Sequence, residues 1–355
     1  MSAPLLYKGI LKGHSKWITN INVPFELDSQ NGKYEIASSS RDGSAIVWQV
    51  DPEASDTNNG SAGVALKSFK KHCGEINHCF LSKEGRFLLT AAADKTMNLW
   101  DIESGVCFRR FKGHTAEVTC AVISNCSRYI VSASRDKTLR LWNTLGEEKF
   151  CFARGGHTDV VTCVCFSPDQ SANIIVSGSV DGTIRIWNLD TCSLLYSFSG
   201  HTGPINSIAM SPDGSLVASG GSDGKIHLWD VSDYSHVYTL DVSSPVYSLC
   251  FTPCNYWISA ATDTGIKIIH LERKVIISDI RMVSDKKPDS NENEIQEFRR
   301  KKNVEPTVIA TIESKQKPAK HLPWCTSLAW SRDGYYLFAG SNTGDIYILG
   351  LKDRC

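Results

Sequence analysis

Residues 200–230 decide the fold, because the pattern of the whole chain is written most cleanly there: GHTGPINSIAMSPDGSLVASGGSDGKIHLWD. Four residues set this pattern, and they are His201, Ser219, Asp223 and Trp229. Short apolar segments run between them, and turn-forming Pro, Asp and Gly residues bound each segment. Such segments are typical of β-strands joined by tight turns. The stretch therefore predicts a strand–turn–strand–turn–strand unit.

The unit recurs, and five copies share the spacing Ser/Thr-x3-Asp-x5-Trp. Five unrelated strand triplets would not share this spacing by chance. The marks of the other four copies, in chain order, are His14, Ser38, Asp42 and Trp48; His72, Thr90, Asp94 and Trp100; His114, Ser132, Asp136 and Trp142; and His157, Ser177, Asp181 and Trp187.

Two weaker copies follow. In the sixth, Ser259 and Asp263 keep their places, but Val242 stands where His is expected and Ile269 where Trp is expected. In the seventh, only His321 keeps its place. The three replacements in that copy are Ala339, Thr343 and Leu349. Terminal repeats are commonly atypical, so we count seven copies.

The Gly-His opening and Trp-Asp ending of the unit resemble the WD repeat, which builds one four-stranded blade per copy. Seven copies predict an all-β fold, a seven-bladed WD-repeat β-propeller. Each copy supplies strands a to c, counted from the propeller axis outward, and strand d follows. Six segments fit strand d, and they are Val64–Phe69, Val106–Phe111, Lys149–Ala153, Leu194–Phe198, Val237–Leu240 and Val275–Ile280.

The seventh outer strand has no candidate after Leu351, but it has one near the start. Leu5–Leu11 is apolar, suits a β-strand and comes directly before Gly13-His14. We expect this N-terminal strand to pair with the last blade and close the ring. Closure removes the open sheet edges that favour aggregation.

We interpret residues 1–355 as a single propeller domain with loop insertions at about 51–63 and 281–320. The first insertion is rich in Asp, Asn, Gly and Ser. The second is long enough to be either functional or disordered, and Asn291–Lys302 within it could form a short polar helix. Its role is open at the level of sequence.

The composition limits the class of protein. The chain contains 38 Lys plus Arg and 38 Asp plus Glu, so a nucleic-acid partner would need a local basic patch. No apolar run approaches the roughly 18 residues that span a membrane, and the N-terminus lacks the features of a signal peptide. The 13 cysteines are odd in number and scattered. This favours free thiols in a reducing compartment, and we expect the cytoplasm.

The repeated His, Ser/Thr, Asp and Trp residues are interpreted as structural. The Asp in the b–c turn can accept a hydrogen bond from the His, the His can reach the hydroxyl, and the hydroxyl can reach the indole N–H. Buried polar groups need such partners, since each one left unpaired costs about 1–3 kcal/mol. One Ser, His and Asp alone would suggest a catalytic triad, but five copies in register favour a scaffold role.

Other motifs do not indicate an enzyme. Residues 220–224 satisfy G-x-S-x-G, but that motif needs a strand-to-helix turn, and this one is a predicted b–c turn. Cys163 and Cys165 could share one face of an inner strand, where we expect them to line the central channel, because no further zinc ligands are spaced for them. We therefore expect no catalytic residue, no metal, no cofactor and no small-molecule substrate.

Basic residues are concentrated in the first three blades. Lys67 and Lys70 lie on the outer strand of the first blade and its exit, and we place Arg109 and Arg110 at the equivalent positions of the second. The b–c turns contain Arg41, Arg135 and Lys137. Taken singly, each of these residues is interpreted as an ordinary solvent-exposed surface charge. Their concentration in a chain of zero net charge favours a local anionic partner, bound with salt-sensitive affinity and little sequence selectivity.

Several stretches outside the generic repeat resemble one WD-repeat family, the receptor for activated C kinase. They are Leu11–Ile18, Ser132–Gly146, Ser211–Asp230, Cys250–Thr262, Ile266–Ile268 with Leu271-Glu272, and Cys325–Gly340. The resemblance implies a cytoplasmic, non-enzymatic scaffold bound to the head of the small ribosomal subunit. It implies that the partners are ribosomal RNA and proteins, protein kinase C and other signalling and translation factors. It also implies that Arg135, Asp136 and Lys137, the pair Arg109 and Arg110, and Lys67 and Lys70 match the family's ribosome-facing positions.

The chain also departs from this family. The first-blade turn reads Arg41-Asp42-Gly43, where the family has Lys in the last place, and the insertion at 281–320 is longer than usual. One alternative is a β-subunit of a heterotrimeric G protein, which needs an N-terminal helix, whereas the residues before His14 resemble a strand. Another is a ubiquitin-ligase adaptor, which usually carries an extra domain.

Overall fold

The computed structural model describes residues 5–24, 33–52, 62–153, 155–168, 173–254, 256–281 and 323–351. These residues form 28 strands in seven four-stranded antiparallel sheets, which are the blades of a propeller. No helix long and apolar enough to cross a membrane occurs among them. The predicted seven-bladed all-β fold is confirmed.

The strands of each blade run from a, nearest the axis, to d at the rim. Blades 1 to 3 consist of β2 (Ile18–Asn22), β3 (Tyr34–Ser40), β4 (Ala45–Val50) and β5 (Gly63–Phe69); β6 (Ile76–Leu81), β7 (Phe87–Ala92), β8 (Thr96–Asp101) and β9 (Cys107–Lys112); and β10 (Val118–Ile123), β11 (Tyr129–Ser134), β12 (Leu139–Asn143) and β13 (Glu148–Cys151). Blades 4 to 6 consist of β14 (Val161–Phe166), β15 (Ile174–Ser179), β16 (Thr183–Asn188) and β17 (Ser193–Ser199); β18 (Ile205–Met210), β19 (Leu216–Gly221), β20 (Lys225–Asp230) and β21 (Ser235–Asp241); and β22 (Val246–Phe251), β23 (Trp257–Thr262), β24 (Gly265–His270) and β25 (Val275–Ile280). Blade 7 consists of β26 (Cys325–Trp330), β27 (Tyr336–Ser341), β28 (Asp345–Leu351) and β1 (Leu5–Lys12).

The apolar core lies between neighbouring blades. Between blades 1 and 2, for example, Val47 of β4 packs with Ile76, Leu88 and Trp100 of the next sheet. Strands b and c are buried on both faces, which explains their continuous runs of apolar and small residues. Burying one such side chain stabilises the fold by about 1.5–3 kcal/mol. Each blade therefore shares its core with its neighbours.

The ring closes as the sequence predicts. β1 pairs antiparallel with β28, from Leu5 opposite Leu351 to Lys12 opposite Asp345. The register shifts between Tyr7 and Gly9. Gly9 is required there, because a Cβ at this position would lie only 2.4 Å from the Cβ of Ala62. The six predicted outer strands are also present, as β5, β9, β13, β17, β21 and β25.

A ring of hydrogen bonds joins the innermost strands. The second residue of strand a donates a side-chain bond to the first carbonyl of strand a in the next blade. The donors are Thr19, Asn77, Thr119, Thr162, Asn206 and Thr326, with bonds of 2.6–2.8 Å. Blade 6 carries Tyr247 at this position, and no such bond links it to blade 7 within the described residues.

Strand direction defines two faces. Because successive strands are antiparallel, the b–c turns and the d–a loops lie at one end of every blade, and the a–b and c–d turns lie at the other. We call the first end the b–c face and the second the a–b face. Most of residues 51–63 and 281–320, the whole of Asn291–Lys302, and His321 lie outside the described residues.

Candidate binding face

The repeated His, Ser or Thr, Asp and Trp residues of blades 1 to 5 form continuous polar networks on the b–c side of each blade. The His Nδ1–H donates to the Asp carboxylate, with N···O distances of 2.7–3.2 Å. The Ser or Thr hydroxyl lies 2.7–2.9 Å from His Nε2. The Trp indole N–H donates to the same hydroxyl oxygen at 2.8–2.9 Å. The expected chain of bonds is thus present in all five blades.

Each network also ties the d–a loop to the b–c turn. The backbone N–H after the His donates to the Asp carboxylate, as Thr158 does to Asp181 at 2.9 Å. Burial lowers the pKa of His157 to about 4. Burial alone would raise the pKa of Asp181, but hydrogen bonds from Thr183 and Thr158 outweigh it and lower that pKa to about 2. A neutral imidazole beside an ionised carboxylate holds the turn in place at neutral pH.

The sixth blade completes its network with a neighbour's residue. Trp330, on strand a of blade 7, donates its indole N–H to Ser259 Oγ at 2.9 Å. Val242 occupies the position of the missing His, and its backbone carbonyl accepts a hydrogen bond of 2.6 Å from Lys267 Nζ. Neither contact is apparent from the sequence. The only signal was the Trp at an unusual strand-a position.

Three of the predicted basic residues lie in b–c turns, Arg41 in blade 1 and Arg135 and Lys137 in blade 3. The side chains of Arg41, Arg135 and Lys137 are 46%, 60% and 53% exposed. The Arg41 guanidinium stacks 4.4 Å above the centroid of the Trp17 ring. Trp17 in turn meets Trp324 edge-on at 5.3 Å between ring centroids. Blade 1 therefore presents a cation and an aromatic surface side by side.

Each of these cations has an acidic neighbour on the same face. Arg135 Nε lies 3.1 Å from Glu117 Oε2. Arg41 Nε lies 3.7 Å from Glu75, and Lys137 Nζ lies 3.8 Å from Asp159. Exposed ion pairs of this kind contribute at most about 1 kcal/mol. The cations are therefore held in place without being committed to these partners.

Lys70 and Arg110 also lie toward the b–c face, but their predicted equivalence is wrong. Lys70 follows Phe69, just as the exposed Lys112 follows Phe111, whereas Arg110 lies opposite Asn98 inside the blade. The equivalent of Arg110 in blade 1 is Ser68, which lies opposite Ile46, so Lys70 and Arg110 are two positions apart in register. The exposed Lys12 ends β1 in the same way, so one lysine stands at this place in each of blades 7, 1 and 2.

Arg110 is partly a structural residue. Its Nη2 lies 3.3 Å from Asp94 Oδ2, and its Nε donates to Thr96 Oγ1 at 3.3 Å. Its side chain is one-third exposed. The guanidinium thus contacts the polar network of blade 2 while part of the side chain remains exposed to solvent.

Lys67 and Arg109 lie on the rim and reach away from the other cations. Lys67 Nζ donates to the Ile102 carbonyl at 2.9 Å and also contacts the Glu103 carbonyl. These carbonyls belong to the c–d turn of blade 2, which lies at the a–b face. Arg109 packs in the same manner against Gly146 in the c–d turn of blade 3. The structure therefore separates these two residues from Arg41, Arg135 and Lys137.

Gly43 takes the backbone conformation that a lysine takes in other blades. Its φ is +79°, and the equivalent Lys95 and Lys137 have φ values of +66° and +69°. Left-handed backbone is costly for residues other than glycine. The first turn therefore avoids this strain and carries one charge fewer.

The two other motifs fall in structural surroundings. Ser222 lies in the turn between β19 and β20, where Asn206 Nδ2 donates to its hydroxyl at 3.1 Å. Cys163 and Cys165 lie on β14, half-buried, and pack against the core between blades 4 and 5. Burial raises their pKa values to about 11 and about 12, so both are protonated thiols at neutral pH.

Comparisons with known proteins agree with this architecture. The chain matches the family model described as WD domain, G-beta repeat at residues 6–49, 63–101, 105–143, 148–188, 192–230, 234–270 and 314–348. Small ribosomal subunit protein RACK1 of Brassica napus is 43% identical over 353 residues, covering 99% of both chains. The protein of the same name from Neurospora crassa is 37% identical over 354 residues, covering 100% of both chains. MST50-interacting protein 11 of Pyricularia oryzae is 36% identical over 354 residues, again covering both chains completely. The chain therefore belongs to the WD-repeat family and, within it, to the family of the RACK1 proteins.

Proposed function

We propose that the protein is a cytoplasmic, non-enzymatic scaffold that binds the small ribosomal subunit through the b–c face of blades 1 to 3. Ribosomal RNA and ribosomal proteins are its primary partners. The faces and rim left open recruit protein kinase C and other signalling and translation factors. The name of two full-length relatives, small ribosomal subunit protein, supports the ribosomal assignment.

The observation that carries the proposal is the set of exposed cations in the b–c turns. Arg41, Arg135 and Lys137 project from short turns between buried strands, so their backbone positions are fixed by the blade cores. The turn aspartates next to them accept hydrogen bonds from the networks described above, which fixes the turns further. Positioned cations of this type suit phosphate groups, which fix the orientation of a complex without reading its sequence.

The acidic neighbours make this face selective for a strong anion. A phosphate must displace Glu75, Glu117 or Asp159 from the cation it pairs with. Exposed pairs are weak, so a dense phosphate backbone can displace them while isolated carboxylates cannot. The Trp17 ring beside Arg41 adds a surface on which a base or another side chain can stack.

The test is co-sedimentation with purified small ribosomal subunits through a sucrose gradient at several salt concentrations. Reversing all three charges, with Arg41→Glu, Arg135→Glu and Lys137→Glu, should release the protein at moderate salt. If the three cations each contact one phosphate, the slope of log affinity against log salt should fall by roughly two to three.

A matched control reverses three cations at the opposite end of the blades: Arg86→Glu, Arg273→Glu and Lys274→Glu. These residues are exposed in the a–b turn of blade 2 and the c–d turn of blade 6. The control changes net charge equally and should still co-sediment. Equal retention of both triple variants, each with an unchanged circular dichroism spectrum, would refute the basic-face assignment.

A further inference from the structure

Blade 5 differs from the other complete networks at the position four residues after the turn aspartate. Blades 1 to 4 carry Ile46, Asn98, Arg140 and Arg185 there, whereas blade 5 carries His227. The His227 ring lies 4.3 Å from the His201 ring, measured between centroids. His227 is only 6% exposed. A second imidazole is therefore buried directly beside the network histidine.

Asp223 lacks a hydrogen-bond donor that its four equivalents have. In blades 1 to 4, a hydroxyl two residues after the aspartate donates to its carboxylate at 2.5–2.7 Å. Lys225 occupies that position in blade 5, and only its backbone N–H reaches Asp223 Oδ1, at 3.2 Å. The His201 Nδ1 lies 3.1 and 2.9 Å from the two oxygens. Asp223 thus has acceptor capacity that no hydroxyl uses.

His227 Nε2 has no hydrogen-bond partner among the residues that the structure describes. The other ring nitrogen, Nδ1, lies 2.9 Å from Thr239 Oγ1 and 3.2 Å from His236 Nε2. With the proton on Nδ1 and donated to Thr239, Nε2 offers a free lone pair. Metal-binding histidines typically donate their other N–H to a neighbouring acceptor in this way. A buried nitrogen without a partner destabilises the fold unless a ligand pairs with it.

One donor atom from each of His201, Asp223 and His227 lies within 4.8 Å of the other two. We propose that these three residues bind one transition-metal ion. Two imidazoles and a carboxylate match Zn²⁺ best, with water as the fourth ligand. Tetrahedral Zn²⁺ with bonds of about 2.0–2.2 Å needs ligand atoms about 3.3–3.6 Å apart. The three side chains therefore need to move by no more than roughly 1 Å.

The proton of His201 can be relocated when the ion binds. In the network, Nδ1–H donates to Asp223, and Nε2 lies 2.8 Å from Ser219 Oγ. With the ion on Nδ1, the proton moves to Nε2 and is donated to Ser219 Oγ, which still accepts from Trp229, while the Ser219 hydroxyl hydrogen that pointed at Nε2 rotates away from the ring. The ion replaces one hydrogen bond by bonds to His201 and Asp223, and no net proton is released.

The test is calorimetric titration of ZnCl₂ into the full chain after its accessible thiols are alkylated, because the chain has 13 cysteines. We expect one Zn²⁺ per chain. His227→Asn inserts the residue that blade 2 carries, and it should weaken binding at least tenfold. His270→Asn is the matched control, since His270 is a half-buried histidine of blade 6 outside the cluster. It should bind as the parent does.

A second variant and a second readout keep the proposal refutable. Lys225→Thr restores the missing hydroxyl donor to Asp223 and should also weaken Zn²⁺ binding. Zn²⁺ should raise the Tm of the parent and of His270→Asn but not of His227→Asn. Co²⁺ in place of Zn²⁺ should give tetrahedral d–d absorption without thiolate charge-transfer bands. No binding, equal binding by parent and His227→Asn, or binding that alkylation abolishes would each overturn the proposal.

Discussion

Replacing Trp330 by Phe tests how blade 6 is joined to blade 7. Trp330 is 4% exposed, and its indole N–H donates to Ser259 Oγ at 2.9 Å across the boundary between the two blades. Ser259 is fully buried, and the indole is its hydrogen-bond partner among the described side chains. Phe keeps an aromatic ring in the core but removes the donor. The variant leaves a buried hydroxyl without its partner.

The expected loss of unfolding free energy follows from the hydrogen bonds that remain in the variant. An unpaired buried hydroxyl costs about 1–3 kcal/mol, and the smaller ring loses about 1 kcal/mol of burial. We therefore expect Trp330→Phe to lower the free energy of unfolding by roughly 2–4 kcal/mol. Trp229→Phe is the matched control in blade 5. There Ser219 keeps its bond to His201 at 2.8 Å, so only one net bond, worth about 0.5–1.5 kcal/mol, is lost with the ring area.

The assay is equilibrium unfolding in urea, followed by circular dichroism because both variants lose a fluorophore. Trp330→Phe should unfold at a lower urea concentration than Trp229→Phe. Adding Ser259→Ala to Trp330→Phe should recover part of the loss, since the unpaired hydroxyl is then gone. If Trp229→Phe is as destabilising as Trp330→Phe, or if Ser259→Ala makes the double variant worse, the reasoning is refuted.

Three further outcomes are expected. Arg110→Gln should lower the Tm through its lost contact with Asp94, and it should weaken ribosome co-sedimentation less than Arg135→Gln does; the opposite order would show that Arg110 is mainly a binding residue. Gly43→Lys should strengthen ribosome co-sedimentation, because it adds a cation in a turn whose backbone matches that of Lys137. It should also lower the free energy of unfolding by roughly 1–2 kcal/mol, since left-handed backbone is costly for residues other than glycine. Unchanged binding would show that the first turn makes no contact. Burial lowers the pKa of His157 to about 4, so the folded state binds fewer protons than the unfolded state between about pH 6.5 and pH 4. The stability that this residue contributes is fully present above pH 6.5 and should be lost as pH falls toward 4, by up to about 3 kcal/mol; a urea midpoint independent of pH in this range would contradict it.

The fold could be predicted because its signals are local and repeated. The spacing from Ser219 to Trp229 reports one blade, and four further copies confirm that the spacing is structural. The closing strand followed from counting outer strands, since only Leu5–Leu11 could supply the last one. Both inferences depend on periodicity and turn chemistry, which a sequence displays directly.

The side-chain partners could not be predicted in the same way. Trp330 meets Ser259 across 71 residues of sequence, and no local pattern reports such a contact. The sequence groups Arg110 and Lys67 with the exposed cations because both lie on outer strands of the first blades. Their directions depend on the register between strands c and d, which shifts within every blade, for example between Leu99 and Trp100. A shift of one residue therefore decides whether a basic side chain lies at the rim, as Arg109 does, or contacts the polar network, as Arg110 does.

The strand that closes the ring also sets the order of events during synthesis. Leu5–Lys12 precedes its partner Asp345–Leu351 by about 330 residues in the chain. At roughly 5–20 residues per second, the first strand waits roughly 15–70 seconds for its place in a sheet. During that time Leu5, which is buried in the finished ring among residues of blades 6 and 7, lacks these partners. The last blade is therefore completed only after the C-terminal strand has been made, because its outer strand is the N-terminal one.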